Sequence, residues 1–279
     1  MESKISTRRV ARTASLVVWT SVIFVVGLVP SHSSRAADDE DLAKQLSNPV
    51  AALISVPFQF NWDDNYGQDQ NGHKFYLNFQ PVVPITLNPE WNLISRTILP
   101  IVDQHGVVAG TSQSGNGDVV QSFFLSPAKP TANGLIWGVG PVLLLPTGSD
   151  DLLSARKWGA GPTGVVLKQE GPWTYGALAN HIWSYAGEHD RAYVNTTFLQ
   201  PFLSYTSQNA WTFTINTEST YDWRAQQWSV PINGMIAKLL KLGDQPLQIG
   251  GGVRYWADHP DNGPRGWGFR FVVTLLFPK

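Results

Sequence analysis

The chain has 279 residues, of which 43% are hydrophobic and only 15% charged, against about 25% charged in an ordinary soluble domain. A formal net charge of -1 offers no basic surface for nucleic acid, and the absence of cysteine excludes a disulfide framework or a thiolate-held metal. Aromatic residues reach 12%, with 12 Trp, so the chain is poor in charge and rich in amphipathic rings.

The first element is an export signal. Lys4, Arg8, Arg9 and Arg12 form a basic start, Ala14 to Leu28 is a mostly apolar run, and Ser34-Arg35-Ala36 supplies small residues for cleavage. The apolar run is short of a membrane span. Residues 1–36 are therefore read as a signal peptide, with cleavage after Ala36 or Ala37. Their removal takes away five basic residues and one acidic one, which leaves a mature charge of -5. Residues 37–53 read as an N-terminal segment on the periplasmic side, with a short helix ending near Pro49 or a flexible tail as alternatives.

From residue 54 to residue 279 the pattern has a period of two, the signature of strands with two different faces. In Ile54–Asn61, Ile54, Val56, Phe58 and Phe60 oppose Ser55, Pro57, Gln59 and Asn61. In Phe75–Gln80, Phe75, Leu77 and Phe79 oppose Tyr76, Asn78 and Gln80. Weaker segments follow near residues 90–103, 117–127, 134–147, 157–169, 173–186 and 191–206. Trp211–Trp223 reads as one long strand, in which Trp211, Phe213, Ile215, Tyr221 and Trp223 oppose Thr212, Thr214, Asn216, Glu218, Thr220 and Asp222. After a weaker segment at 228–241, Leu247–Tyr255 sets Leu247, Ile249, Val253 and Tyr255 against Gln248 and Arg254. In Gly266–Phe277, Trp267, Phe269, Phe271, Val273, Leu275 and Phe277 share one face, and the other carries Arg270. This makes about twelve strands, each of a length that crosses a bilayer when tilted. Gly140-Pro141 and Gly161-Pro162 fall inside strands, where proline removes a ladder hydrogen bond and has no evident place.

A soluble sandwich also alternates, but its wetted face carries more charge than the Gln, Asn, Thr, Ser and Gly found here. Aromatic residues also cluster near segment ends on a single parity, as bilayer interfaces favour. A sheet in hydrocarbon must close on itself because no edge can stay unpaired. The fold class expected is all-β: a transmembrane antiparallel β-barrel of outer-membrane type, with aromatic faces outward and both termini on the periplasmic side. Its location is then the outer membrane of a Gram-negative bacterium.

Several stretches resemble one family. Asn48–Gln59 looks like its opening strand; Gly117–Pro127, Gly138-Val-Gly-Pro141 with Leu145-Pro-Thr-Gly148, Lys157–Pro162 and Phe198-Leu-Gln-Pro201 look like its middle; Arg270–Lys279 looks like its end. The family comprises bacterial outer-membrane barrels described as phenol meta-pathway degradation proteins or transporters, some under the misleading label "neuromedin U". The resemblance covers nearly the whole mature chain. It implies an outer-membrane channel linked to uptake of aromatic or other small compounds, and it brings no active-site motif. One departure is the terminus: barrels commonly finish on an aromatic residue read by the assembly machinery, whereas Pro278 and Lys279 follow Phe277 here.

The alternation predicts a lumen lined by Gln59, Asn61, Asn78, Gln80, Arg96, Thr212, Asn216, Glu218, Asp222, Gln248, Arg254 and Arg270. Such groups either fill a narrow barrel with an internal hydrogen-bond network or line a solute path, with Glu218, Asp222, Arg254 and Arg270 setting its charge preference. The alternatives are an outer-membrane enzyme, with its site in the lumen or at the rim, and a structural or adhesive barrel. The nearest histidine–serine pairing, His181 with Ser184, is three residues apart and so on opposite faces of a strand. No phosphate loop, metal-binding helix or nucleophile elbow is present. No cofactor is expected, and the partners are outer-membrane lipids, a small solute and the assembly machinery.

Overall fold

The computed structural model describes residues 33–278. The proposed signal peptide lies, up to residue 32, outside the described residues. One helix, α1 (Ser33–Leu46), precedes fifteen strand segments: β1 (Ile54–Tyr66), β2 (Gly72–Phe79), β3 (Val82–Thr86), β4 (Trp91–His105), β5 (Ser112–Asn116), β6 (Val119–Pro127), β7 (Leu135–Leu145), β8 (Lys157–Glu170), β9 (Trp173–Gly187), β10 (Asn195–Thr206), β11 (Trp211–Thr217), β12 (Ser219–Asp222), β13 (Gln227–Leu242), β14 (Gln245–Asp258) and β15 (Gly266–Phe277).

Three pairs of segments (β2 with β3, β5 with β6 and β11 with β12) each make one crossing, so twelve strands form the wall. Every ladder is antiparallel. β1 pairs with β15 from Ile54↔Phe277 to Asp63↔Gly268, and β9 pairs with β10, so the sheet closes without an edge. Closure lets backbone groups find partners within the wall, which hydrocarbon requires.

The proline positions explain several interruptions. The crossing expected to run unbroken over Trp211–Trp223 pauses at Glu218, where Pro231 lies opposite on one side and Pro201 of the other neighbour faces the adjacent Thr217, neither donating a ladder bond. Pro141 and Pro162 face each other across β7 and β8, with their rings on the outer face. Gly140 and Gly161 precede them, pointing inward; a Cβ on Gly161 would lie 1.7 Å from the His181 carbonyl oxygen. Two prolines side by side thus leave a narrow defect in the ladder, and only glycine fits the tightened wall beneath it.

The outer face is apolar and aromatic. Trp267 and Phe269 are each 60% exposed, whereas Arg270 between them and Phe271 is 5% exposed. One ring of aromatic side chains lies near the end that carries the barrel's own termini, including Trp173 against Tyr205 and Trp91 against Trp137. The other lies near the far end, with Tyr221 between Trp223 and Trp228, and Tyr255 against Trp267. Two such belts match the two interfaces of a bilayer.

The inside differs around its circumference. β4 and β6–β9 turn in Ile94, Phe124, Val165, Leu167 and Leu178, all buried, and farther along Val142, Leu144 and Ile182 form a second apolar cluster. The opposite arc, from β11 through β15 to β2, turns in amides, hydroxyls and ions. The sequence placed polar groups at the lumen; the interior also carries an arc of hydrocarbon, because the weakly alternating strands 90–186 place apolar residues on both faces.

The N-terminal segment covers the first of these clusters, while Ala155 and Val194 pack on the second. Val50 packs among Ile94, Phe124 and Leu178, and Ala43 and Leu53 pack with Ala210, Leu239 and Leu276 at the barrel mouth. The helix is pinned by Lys44 Nζ donating to the Gly171 carbonyl at 2.5 Å, Gln169 Nε2 donating to the Lys44 carbonyl at 2.9 Å, and a 2.6 Å ion pair between Asp39 and Lys241. It begins at Ser33, earlier than the expected boundary, and stops at Leu46. There Asn48 Oδ1 accepts from the Val50 amide and Pro49 cannot continue the turn.

Candidate functional site: the barrel interior

Inward parity gathers a cluster of ions on the polar arc. Arg254 of β14 is 1% exposed and Asp63 of β1 is fully buried. Arg254 donates from Nη1 to Asp63 Oδ2 at 2.7 Å and to the Tyr76 hydroxyl at 2.5 Å, from Nη2 to Asn61 Oδ1 at 2.9 Å, and from Nε to Asn233 Oδ1 at 2.9 Å. The second oxygen of Asp63 accepts from Trp256 Nε1 at 3.0 Å. Asn61 Oδ1 also accepts from Arg270 Nε at 2.8 Å, and Arg270 grips Glu218 with both terminal nitrogens at 2.8 and 2.7 Å. The network continues through Asn233 Nδ2 to Asn216 Oδ1 at 2.8 Å. Buried charges persist only when paired and hydrogen-bonded in this way. The cluster welds β1, β2, β11, β13, β14 and β15 across the interior.

Between this cluster and α1 lies a cavity of about 270 Å³. Its wall holds Gln59, Gln80, Arg96, Thr212, Asn216, Glu218, Gln248 and Arg270, with Leu46, Ser47 and Pro49 closing it on the side of the N-terminal segment. A second space of about 190 Å³ shares Gln80, Arg96 and Gln248 and runs beneath residues 45–53. Beyond the cluster, a far-end cavity of about 270 Å³ is bounded by Lys74, Tyr76, Asn78 and Asp118, together with Leu152 and Leu153. Asp118 holds the 146–156 connection over that end: its carboxylate accepts from the Gly148 amide at 3.0 Å, the Ser154 hydroxyl at 2.7 Å and the Ala155 amide at 2.7 Å.

The twelve residues expected at the lumen thus separate by depth. Eight face the cavity beside α1. Asn61 and Arg254 are buried inside the ion cluster, and Asn78 belongs to the far-end cavity. Asp222 is the exception in role: its Oδ1 accepts from the Arg224 and Ala225 amides and caps the turn leading to β13, away from the ion cluster, so it is corrected from a charge-setting group to a turn cap. Asp63, Asn233 and Trp256 complete the cluster unforeseen, and Tyr76, read on the polar face but not among the lumen residues, joins them. Asp63 and Trp256 continue the parity of Asn61 and Arg254, just beyond the segments Ile54–Asn61 and Leu247–Tyr255 in which alternation is legible.

His181 points outward, with Nδ1 2.7 Å from the Thr197 hydroxyl and its ring against Trp183. Ser184 turns to the other face and accepts from the Val194 amide at 2.9 Å. The two do not meet.

No family model matches the chain, and no curated protein matches it either. Solved structures do. The outer membrane channel from Pseudomonas putida F1 superimposes with a TM-score of 0.63 at 16% identity, over 81% of this chain and 94% of that one. The NanC porin aligns with a TM-score of 0.47 at 11% identity over 81% and 100% of the two chains. Outer membrane phospholipase A from Escherichia coli gives 0.46 at 9%, over 80% and 92%. The closed twelve-stranded antiparallel barrel is thus the fold this chain shares with the first of these structures.

Proposed function

We propose that the protein is a narrow channel of a Gram-negative outer membrane, passing small solutes by diffusion through a largely filled barrel. The observation that carries this reading is the pair of polar-walled cavities inside a closed wall whose outer face is apolar. Each cavity ends at a small obstruction: the ion cluster between them, α1 with residues 47–51 at one mouth, and the Asp118-held connection at the other. Both barrel termini and α1 then lie on the periplasmic side, as an even strand count with short periplasmic turns implies. The apolar arc beside the cavity suits solutes with a hydrocarbon body, among which the aromatic compounds implied by the family resemblance are one class to assay. An enzymatic reading lacks comparable support, since His181 and Ser184 occupy opposite sides of the wall.

The experiment is conductance of the purified protein in planar bilayers. Small, discrete steps are the expected result. A folded barrel that stays silent across a range of voltages and salts would remove the channel reading.

A further inference from the structure

The cavity beside α1 carries an imbalance of charge that the wall does not resolve. Its charged residues are Arg96, Glu218 and Arg270, two guanidinium groups against one carboxylate. Glu218 is already gripped through both oxygens by Arg270. Arg96 has no carboxylate within 4 Å among the described residues, and of its N–H groups only one, on Nη2, meets a protein acceptor, Gln80 Oε1 at 3.1 Å. The remaining donors of a planar fork that matches a carboxylate are left to the cavity. Gln200 and Gln248 line the same two spaces and make no side-chain hydrogen bond to the described residues. Beside Gln200, Leu178 of the neighbouring strand offers hydrocarbon to the smaller space and Phe202, two residues along the same strand as Gln200, offers it to the larger.

We infer that this cavity is a binding site for a small organic carboxylate, held by Arg96 through its acid group, with Gln200 and Gln248 beside it and a short apolar body against Leu178 and Phe202. The site deepens the channel reading by naming a preferred solute class, and it rests on that reading only in requiring that solutes reach the interior. The physical reason is the cost of an unpaired guanidinium in a partly desolvated space, which an entering anion offsets and a neutral isostere does not.

The test is calorimetric titration of the detergent-solubilised full chain with butyrate and with butyramide, which differ in charge but hardly in size. Butyrate binding at least tenfold tighter than butyramide is expected. Arg96→Gln removes the difference, while Arg96→Lys retains part of it. Folding of each variant is checked by the heat-dependent shift in gel mobility of a closed barrel. Equal binding of the two probes by the unaltered protein overturns the inference, even if every variant fails to fold. So does undiminished butyrate binding by folded Arg96→Gln, or displacement of butyrate by chloride at equal concentration. Conductance without butyrate binding removes this site and leaves the channel; butyrate binding without conductance does the reverse.

Discussion

Arg254→Met probes the ion cluster at its centre. The change keeps an unbranched side chain of useful length but removes, among the described residues, the only cation within 4 Å of Asp63, whose carboxylate is fully buried. Asp63 then keeps one hydrogen bond, from Trp256 Nε1, while Asn61, Asn233 and Tyr76 each lose a partner to which Arg254 was joined at 2.5–2.9 Å. Removing one member of a buried pair costs about 3–5 kcal/mol. At about 1.4 kcal/mol per decade this is a loss of roughly two to three and a half decades in the folding equilibrium. The assay is reversible urea unfolding of the barrel in lipid vesicles, followed by tryptophan fluorescence. Adding Asp63→Asn to Arg254→Met removes the stranded charge while keeping an acceptor for Trp256, and returns at least about 2 kcal/mol of the loss. A single variant within about 0.5 kcal/mol of the unaltered protein, as for a surface change, would refute the reasoning. A double variant weaker than the single one would refute it equally.

Three further outcomes follow from the same structure. Phe271→Arg places a charge on the lipid face and costs roughly 2–4 kcal/mol in vesicles, whereas Thr214→Arg, facing the cavity, costs much less; equal costs would contradict the facing. Gly161→Ala sets a Cβ against the His181 carbonyl and loses about 1–3 kcal/mol, while Gly164→Ala, whose nearest atoms lie 3.7 Å away, stays within about 0.5 kcal/mol; urea midpoints separate the two. Deleting residues 37–49 removes α1 and its connection from the mouth, so unit conductance in planar bilayers rises; an unchanged value would show that the obstruction lies elsewhere.

How much of this was legible beforehand depended on how sharply each strand separates its faces. Gly266–Phe277 and Ile54–Asn61 alternate cleanly, and their facing, pairing and burial follow from parity alone. The arc from 90 to 186 does not alternate, because Leu178, Val165 and Phe124 point inward toward the N-terminal segment, and no single strand reveals that a partner will cover them. Prolines 141, 162, 201 and 231 were opaque for a related reason: their tolerance depends on the neighbouring strand, two of them facing each other across a shared defect. Arg254 and Arg270 were readable as inward charges. That Arg254 is locked to Asp63 and Arg270 to Glu218, while Arg96 in the same cavity has no carboxylate within 4 Å among the described residues, depends on pairs up to 191 residues apart, which periodicity cannot reach.

The central claim is that the aromatic faces of these strands meet acyl chains while the polar faces look into the barrel. Because the chain has no cysteine, single cysteines at 212, 213, 214 and 215 can each carry a spin label in the vesicle-embedded protein. Relaxation by dissolved oxygen, which concentrates in hydrocarbon, reads the facing directly. High oxygen contact at 213 and 215 with low contact at 212 and 214 is the predicted pattern; the opposite alternation, or none, would contradict it.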